Sequence, residues 1–401
     1  MTQKLYYEDQ YIKEFSAEII DILEEDNEFH IQLDKTAFFP GGGGQPCDVG
    51  TIEDSIITSV YEKNGVIYHV SNKRPIKIHK AKCKIDWEFR FDGMQQHLGQ
   101  HILSSAFLEL FGCNTVGFHL GKDICTIDID KQLTYEELEK VETQANEYIF
   151  ENKLLQFLSP TKSELKKLSL RKIPDIKEDT LRVVKIDDID TTACCGLHPK
   201  STLEVQLIKI RKKEKSKGNM RVEFVCGKRA AQDCIRKYKF SSKVCKSLNC
   251  SEEEVLTRID NLTSEFNSMS AENKNLKSQI ADFEVQSIVN NCEAIGGIRV
   301  IKNVFDNTDV KYVNLLASKL TSYENVIVLY ALKSENMAYL IFMCSKNLKI
   351  ISMNDLLKDA ISLIDGKGGG SSFSAQGGGK STNNLESALD YAFIKVKNSM
   401  A

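Results

Sequence analysis

A chain of 401 residues, 42% hydrophobic and 27% charged, is too long for one ordinary domain and has the balance of a soluble globular protein of two to four units. Its net charge of -3 points to no partner by itself, since a nucleic-acid binder can be near neutral overall if its basic residues cluster. No run of about 18 apolar residues occurs and the opening MTQKLYYEDQYIKEF has no apolar stretch, which excludes a membrane span and a signal peptide; the twelve cysteines are expected as reduced thiols in a cytoplasm.

Residues 1–85 read as a small β-barrel-like domain. FHIQLDK alternates polar and apolar residues, and Asn64-Gly65 inside YEKNGVIYHV is a strong hairpin signal. Between them FFPGGGGQPCDVG is a glycine loop that no regular element accommodates. Residues 86–240 read as α+β. DGMQQHLGQHILSSAFLELFG predicts a helix with Asp92 as N-cap and Gly112 as stop. A strand-like VGFHLGKDICTIDID and a helical TYEELEKVETQANEYIFENK follow, then three strands in LRVVKIDDI, STLEVQLIKI and MRVEFVCG. The basic RKKEKSKGNMR between the last two reads as an exposed hairpin tip, either a solvated loop or a phosphate contact.

Residues 241–290 form a helical connector. Ser251 and Glu254 make a capping box, and Val255, Ile259, Leu262, Phe266, Met269, Asn273, Leu276, Ile280 and Phe283 follow at alternating steps of four and three. That is a coiled-coil seam whose single polar residue, Asn273, would fix register and partner number, with Glu272 and Lys277 placed for an interhelical pair. A homodimer is expected; the other reading is a helix lying on its own protein's core. Residues 291–401 alternate strand-like and helical runs, an α/β domain holding a second glycine loop, DGKGGGSSFSAQGGGK.

His97 and His101 are four apart, so a helix projects both imidazoles from one face, and Cys194 and His198 repeat the spacing across a glycine-containing turn. One thiolate and three imidazoles suit Zn2+, in a closed site or one with an open position. A zinc protease needs a glutamate beside its first histidine, where this chain has Leu98. The loop GGGGQPCD lets backbone N–H groups approach a ligand, and Gln45 adds an amide; it lacks the ending of a P-loop.

The motifs RFDGMQQHLGQHILSSAF, GGGGQPCD, VGFHLG, TIDID, ETQANEYI, ACCGLHP and RVEFVCGKRA resemble the editing domain of alanyl-tRNA synthetase, and DGKGGGSSFSAQGGG resembles the DHH-associated domain that ends such enzymes. With no aminoacylation core expected ahead of them, the chain resembles the free-standing long-form AlaX-type editing proteins. The resemblance implies an aminoacyl-tRNA deacylase hydrolysing the ester that joins serine or glycine to alanine tRNA, with no DNA or membrane partner. It implies zinc ligands at His97, His101, Cys194 and His198, and a substrate pocket at Gly42, Gly43, Gly44, Gln45 and Gln100. Lys209, Arg211, Lys212, Lys213, Lys215, Lys217 and Arg221, with Gly368, Gly369 and Gly370, are the expected tRNA contacts. Leu98, Gln100 and Leu197 stand where relatives carry threonine, which bears on serine selectivity, and Cys195 competes with Cys194. One rival is a DHH phosphoesterase, disfavoured because no Asp-His-His occurs. The other is a non-catalytic, zinc-stabilised tRNA-binding protein with a decayed pocket.

Overall fold

Alternating burial dictates the N-terminal architecture. In Ala81–Ile85 every second side chain is buried, and Ser55–Lys63 begins the same way, so each strand offers one apolar face to a core. The computed structural model describes residues 1–76, 80–165, 167–171, 181–216, 218–334 and 337–400, and the chain divides into two units, Met1–Ser247 and Leu248–Ala401. It is a mixed α+β protein. In the first unit seven antiparallel strands run in the order Glu14–Ala17, Ala81–Ile85, Gly50–Ile52, Ser55–Lys63, Val66–Ser71, Glu28–Leu33, Ile19–Glu25. The predicted hairpin turns at Asn64 and Gly65, both at positive φ, the backbone that a two-residue turn between twisted strands requires.

His69 sits fully inside this sheet, Nδ1 2.9 Å from the Ile31 carbonyl and Nε2 2.8 Å from the Thr36 hydroxyl. Burial pushes its pKa from 6.5 down to about 4, against a smaller opposing pull from the Ile31 hydrogen bond. The unfolded chain therefore takes up this proton near pH 6.5 and the folded chain only near 4. Stability present above pH 6.5 is lost as pH falls through that window, by about 3 kcal/mol in all. Urea unfolding at pH 7 and pH 4 is expected to show a smaller acid loss for His69→Gln than for wild type. Equal losses would show that another group drives the acid sensitivity.

The central helix runs Trp87–Phe111. Its N-cap is Asp86, which accepts from Phe89 N–H at 3.1 Å, not Asp92 as the sequence suggested. Trp87 and Phe91 stack on the helix's first turns, and Asp92 lies inside it, held by Arg229. The stop at Gly112 is as predicted, in the left-handed region at φ 59°. From Gly93 to Phe107 every residue is buried. Leu98, Ile102, Leu103, Ala106 and Phe107 enter a hydrophobic core, so the buried His97, Gln100, His101 and Ser104 must find polar company elsewhere.

Around this helix lie the helix Tyr135–Phe150, capped by a Thr134–Glu137 capping box, and two antiparallel sheets. One is ordered Thr115–Leu120, Cys125–Ile129, Asn219–Cys226, Ile208–Ser216; the other Leu155–Leu158, Val183–Ile186, Asp190–Ala193. Two sequence readings change here. STLEVQLIKI is a 3-10 turn, Thr202–Val205, before a strand that starts only at Ile208, because Gln206 takes a positive φ of 68°. The basic stretch does belong to a hairpin, but most of it is strand: residues 212–216 pair with residues 219–223 after a register shift between Ile210 and Lys212, which leaves a shorter tip than composition suggests.

The second unit centres on a six-stranded mixed sheet, ordered Ala294–Ile295, Ile298–Asp306, Val326–Lys333, Ala338–Cys344, Ser374–Gly379, Gly366–Gly370. Val326–Lys333 is buried on both faces: Ile327, Leu329 and Ala331 meet the helices Met353–Ile361 and Leu385–Asn398, while Val326, Val328 and Tyr330 meet Val310–Leu320. The second glycine "loop" is a hairpin of two strands, Gly366–Gly370 and Ser374–Gly379. Its glycines answer to packing: a Cβ on Gly377 would lie 2.1 Å from Ile361 Cδ1, and one on Gly368 2.5 Å from Gly377 Cα.

The long helix runs Val255–Asn291. It packs on its own domain through Ala281, Val285, Ile288 and Val289, off the predicted seam. Ile259, Leu262, Phe266, Met269, Leu276 and Ile280 are exposed, as is Asn273. Lys277 bonds Asp309 of the same unit at 3.2 Å rather than standing free for an interhelical partner. No helix among the described residues is long and apolar enough to cross a membrane.

Candidate metal centre and its cleft

His97 and His101 leave one face of the central helix and meet Cys194 and His198, which follow the strand Asp190–Ala193. One nitrogen from each histidine and the Cys194 sulfur all lie within 4.8 Å of one another. The imidazole centroids are 4.4, 4.8 and 5.1 Å apart. Cys194 Sγ lies 3.4 Å from Nε2 of both His97 and His198. A tetrahedral ion with metal–sulfur and metal–nitrogen bonds of about 2.3 and 2.1 Å sets donors roughly 3.5 Å apart, so the donor set fits zinc in spacing as well as chemistry. Nε2 of His198 faces the Cys194 sulfur, and its Nδ1 is buried without a hydrogen-bond partner among the described residues.

Electrostatics favour the ligating forms at two of the positions. Burial pushes the Cys194 thiol up, but the adjacent His97 and His198, with hydrogen bonds from His101 and His198, hold it well below the ordinary thiol value. Burial, assisted by His97, brings His198 down to about 3 and keeps it a neutral imidazole. His101 differs. Burial lowers its pKa, but Asp190 and Cys194 overcome that and raise it to about 9. Asp190 Oδ2 lies 3.2 Å from His101 Nδ1, which commits that nitrogen as donor and leaves Nε2 to face the centre. Arg171 in turn grips Asp190 with Nε at 2.8 Å and Nη2 at 3.1 Å.

The glycine loop closes the other side. Gln45 is buried; its Oε1 accepts from Leu197 N–H at 2.8 Å and lies 3.3 Å from His97 Nδ1. It thus orients His97 and ties the loop to the Cys-Cys-Gly-Leu-His turn. Gly43, at φ 60°, lies so close that a Cβ would come 3.4 Å from the sulfurs of Cys194 and Cys195. A Cβ on Gly196 would sit 2.2 Å from His97 Cε1. Arg182 donates to the carbonyls of Cys194 and Gly196, and Tyr7 to that of Cys195, fixing the turn from behind.

In front opens a cleft of about 480 Å³, lined by Gly43, His97, Gln100, His101, Thr115, Phe118, Arg171, Thr192, Cys194 and Cys195 among others. Gln100 donates to Ser104 Oγ at 2.7 Å, and Thr115 Oγ1 donates to the same hydroxyl at 2.8 Å.

Two family models match: "Threonyl and Alanyl tRNA synthetase second additional domain" over residues 181–223 and "DHHA1 domain" over 297–398. The chain is 32% identical over 391 residues to the alanyl-tRNA editing protein AlaX-L of Pyrococcus horikoshii, covering 94% of each. The chain belongs to the AlaX-type alanyl-tRNA editing family. It is also 28% identical over 338 residues to the alanyl-tRNA editing protein Aarsd1 of Rattus norvegicus, covering 80% of this chain and 81% of that one. To an alanine–tRNA ligase of Methanobrevibacter smithii it is 30% identical over 409 residues, covering 98% of this chain but 45% of the ligase.

For an AlaX-type chain, the placement of the remaining expected residues is informative. Gly42 and Gln45 bridge each other through backbone hydrogen bonds of 3.0 and 3.1 Å, while a Cβ on Gly44 would strike Phe118. Leu98 lies in the core under the central helix and Leu197 in the core of the N-terminal sheet, both away from the cleft. Lys209 pairs with Glu142, Arg211 and Lys212 with Glu223, and Arg221 with Asp128; Lys213 covers the Tyr135 ring. Lys215 is exposed, and Lys217 lies outside the described residues. Gly368, Gly369 and Gly370 lie in the hairpin's edge strand, far in sequence from the cleft. Asp190, Arg171, Arg182 and Tyr7 went unnoticed in the sequence. No local pattern marks them, because each acts through a long-range contact.

Proposed function

We propose that this protein is a cytoplasmic trans-editing deacylase that hydrolyses the ester joining serine or glycine to alanine tRNA, using Zn2+ held by His97, His101, Cys194 and His198. The observation that carries this reading is the clustering of these four donors beside one cleft, which His97, His101 and Cys194 line while His198 lies buried behind them. Its volume of about 480 Å³ suits a terminal aminoacyl-adenosine better than a whole protein partner. The task has a physical rationale, because an alanine pocket cannot strongly reject glycine or a small added hydroxyl.

Zinc bound there would supply positive charge to polarise an ester carbonyl or to fix the terminal adenosine. The chain's own residues prepare the rest. Gln45 and Asp190 hold two imidazoles in ligating orientation, and Gly43 leaves the turn open to a ligand. Gln100 and Thr115 already donate to Ser104 Oγ, and their oxygens remain acceptors that a seryl hydroxyl in the cleft would reach. The departures at Leu98 and Leu197 fall in the cores and do not erode the cleft, so a decayed pocket finds no support in them.

The test is the rate of ester loss from alanine tRNA charged separately with serine, glycine and alanine. Loss of serine or glycine with alanine spared supports the reading. Survival of all three esters while the tRNA still binds overturns it. We further propose a homodimer through a coiled coil along the seam of the long helix. Phe266 and Met269 there are 72% and 70% exposed, large apolar groups that a second copy would cover. A monomer in sedimentation equilibrium would exclude it.

A further inference from the structure

One strongly basic surface takes no part in the site described above. Between Gly227 and Leu248 the chain has seven basic residues and one acid, Asp233, all in one helix. At 3.6 residues per turn, Lys228, Arg236, Lys239, Lys243 and Lys246 fall within roughly 100° of arc, a stripe about 27 Å long. Asp233 takes Arg236 and Lys237, and Glu88 takes Lys228. No ion pair among the described residues holds Lys239, Lys243 or Lys246, and all three are exposed. Ile235 to Phe240 are exposed without a break, with Tyr238 and Phe240 at 70% on either side of the stripe.

We propose that this helix is an RNA-binding surface: its lysines track a phosphate backbone, and Tyr238 and Phe240 stack on unpaired bases. The proposal rests on reading the substrate as a tRNA. A helix kept merely soluble mixes both signs at four-residue spacing and hides its rings. Here uncompensated cations at i, i+4 and i+7 run beside bare aromatic faces, and a single-stranded or kinked RNA satisfies both at once. The strand Ile208–Ser216 is the weaker candidate, since most of its cations are already taken by carboxylates of the same unit.

The experiment uses the full chain, with alanine tRNA as probe. Wild type is compared with Lys239→Gln/Lys243→Gln/Lys246→Gln and with Tyr238→Ala/Phe240→Ala, reading Kd from 50 to about 300 mM NaCl and the kcat and KM of deacylation. The triple variant should lower the slope of log K against log salt by about 2, because each neutralised phosphate contributes roughly 0.7–0.9. Its KM should rise about tenfold with kcat kept. The aromatic variant should weaken binding with the slope unchanged. Unchanged slope and KM in the triple variant overturn the proposal while leaving deacylation by wild type, and hence the editing reading, intact. If wild type spares every ester but the triple variant still loses tRNA affinity, the editing reading fails and the surface stands. Loss of binding to phosphatidylserine vesicles with tRNA affinity unaffected would also overturn it, in favour of a membrane.

Discussion

Cys194→Ala is expected to leave the protein folded, nearly free of zinc and without measurable deacylation of mischarged alanine tRNA. The thiolate is the only anionic donor of the four and lies 3.4 Å from two imidazoles, so it both offsets a dication's charge and draws the histidines inward. Without it, three buried imidazoles face one another with no anion among the donors, and Asp190, behind His101, favours a proton there in place of the metal. Loss of an outer partner alone costs about 10–100-fold in affinity or activity, and loss of the ligand itself should exceed that. Cys195→Ala is the control. Its exposed sulfur lies outside the four-donor group, so that variant should keep its zinc and most of its rate. Metal analysis of both variants beside the deacylation assay decides the matter. Full zinc in Cys194→Ala, with depletion in Cys195→Ala, would reassign the ligand.

Which parts of this could be read from residues alone follows from the range of the forces involved. The Asn64-Gly65 hairpin, the Gly112 stop and the helix at 135–150 were legible because their causes are local: positive φ, an αL cap, a capping box. The His97, His101, Cys194, His198 quartet is suggested by two four-residue spacings, although only folding brings residues about a hundred apart to 3.4 Å. Asp86 displaced Asp92 as the cap because Arg229, 137 positions away, claims Asp92. Composition alone makes the basic stretch a long hairpin tip and the second glycine run a loop. Strand pairing extends further in both: Glu142 and Glu223 take Lys209, Arg211 and Lys212, and Ile361 leaves no room for a side chain at Gly368 or Gly377. Asp190 on His101 and Arg171 on Asp190 stayed invisible for the same reason. Asp190 is one acid in the run Asp187-Asp188-Ile189-Asp190, and only the fold selects it.

Arg90→Leu is expected to cost about 3–5 kcal/mol and to disable the cleft without touching it. Arg90 and Asp48 have side chains 0% and 2% exposed. The guanidinium Nε donates to both carboxylate oxygens at 3.0 Å, Nη1 donates to the Gln10 carbonyl at 3.3 Å and Nη2 to that of Ala37. Asp48 also accepts the Phe39 N–H at 2.5 Å and donates its own N–H to the Phe39 carbonyl at 2.9 Å. Residues 39 and 48 bracket the glycine loop, so this pair clamps both ends of the segment that presents Gly43 and Gln45 to the cluster of His97, Cys194 and His198. Leucine would leave a buried carboxylate with no cation and two carbonyls without a donor, penalties that water cannot relieve there. The urea midpoint of the first unit should fall sharply, and deacylation should fall more than the folded fraction does. Adding Asp48→Asn should restore most of the stability. The amide keeps an acceptor for Phe39 N–H, and its neutrality removes the stranded charge. If the double variant is no more stable than the single, the cost lies in lost packing of the arginine stem rather than in the unpaired carboxylate.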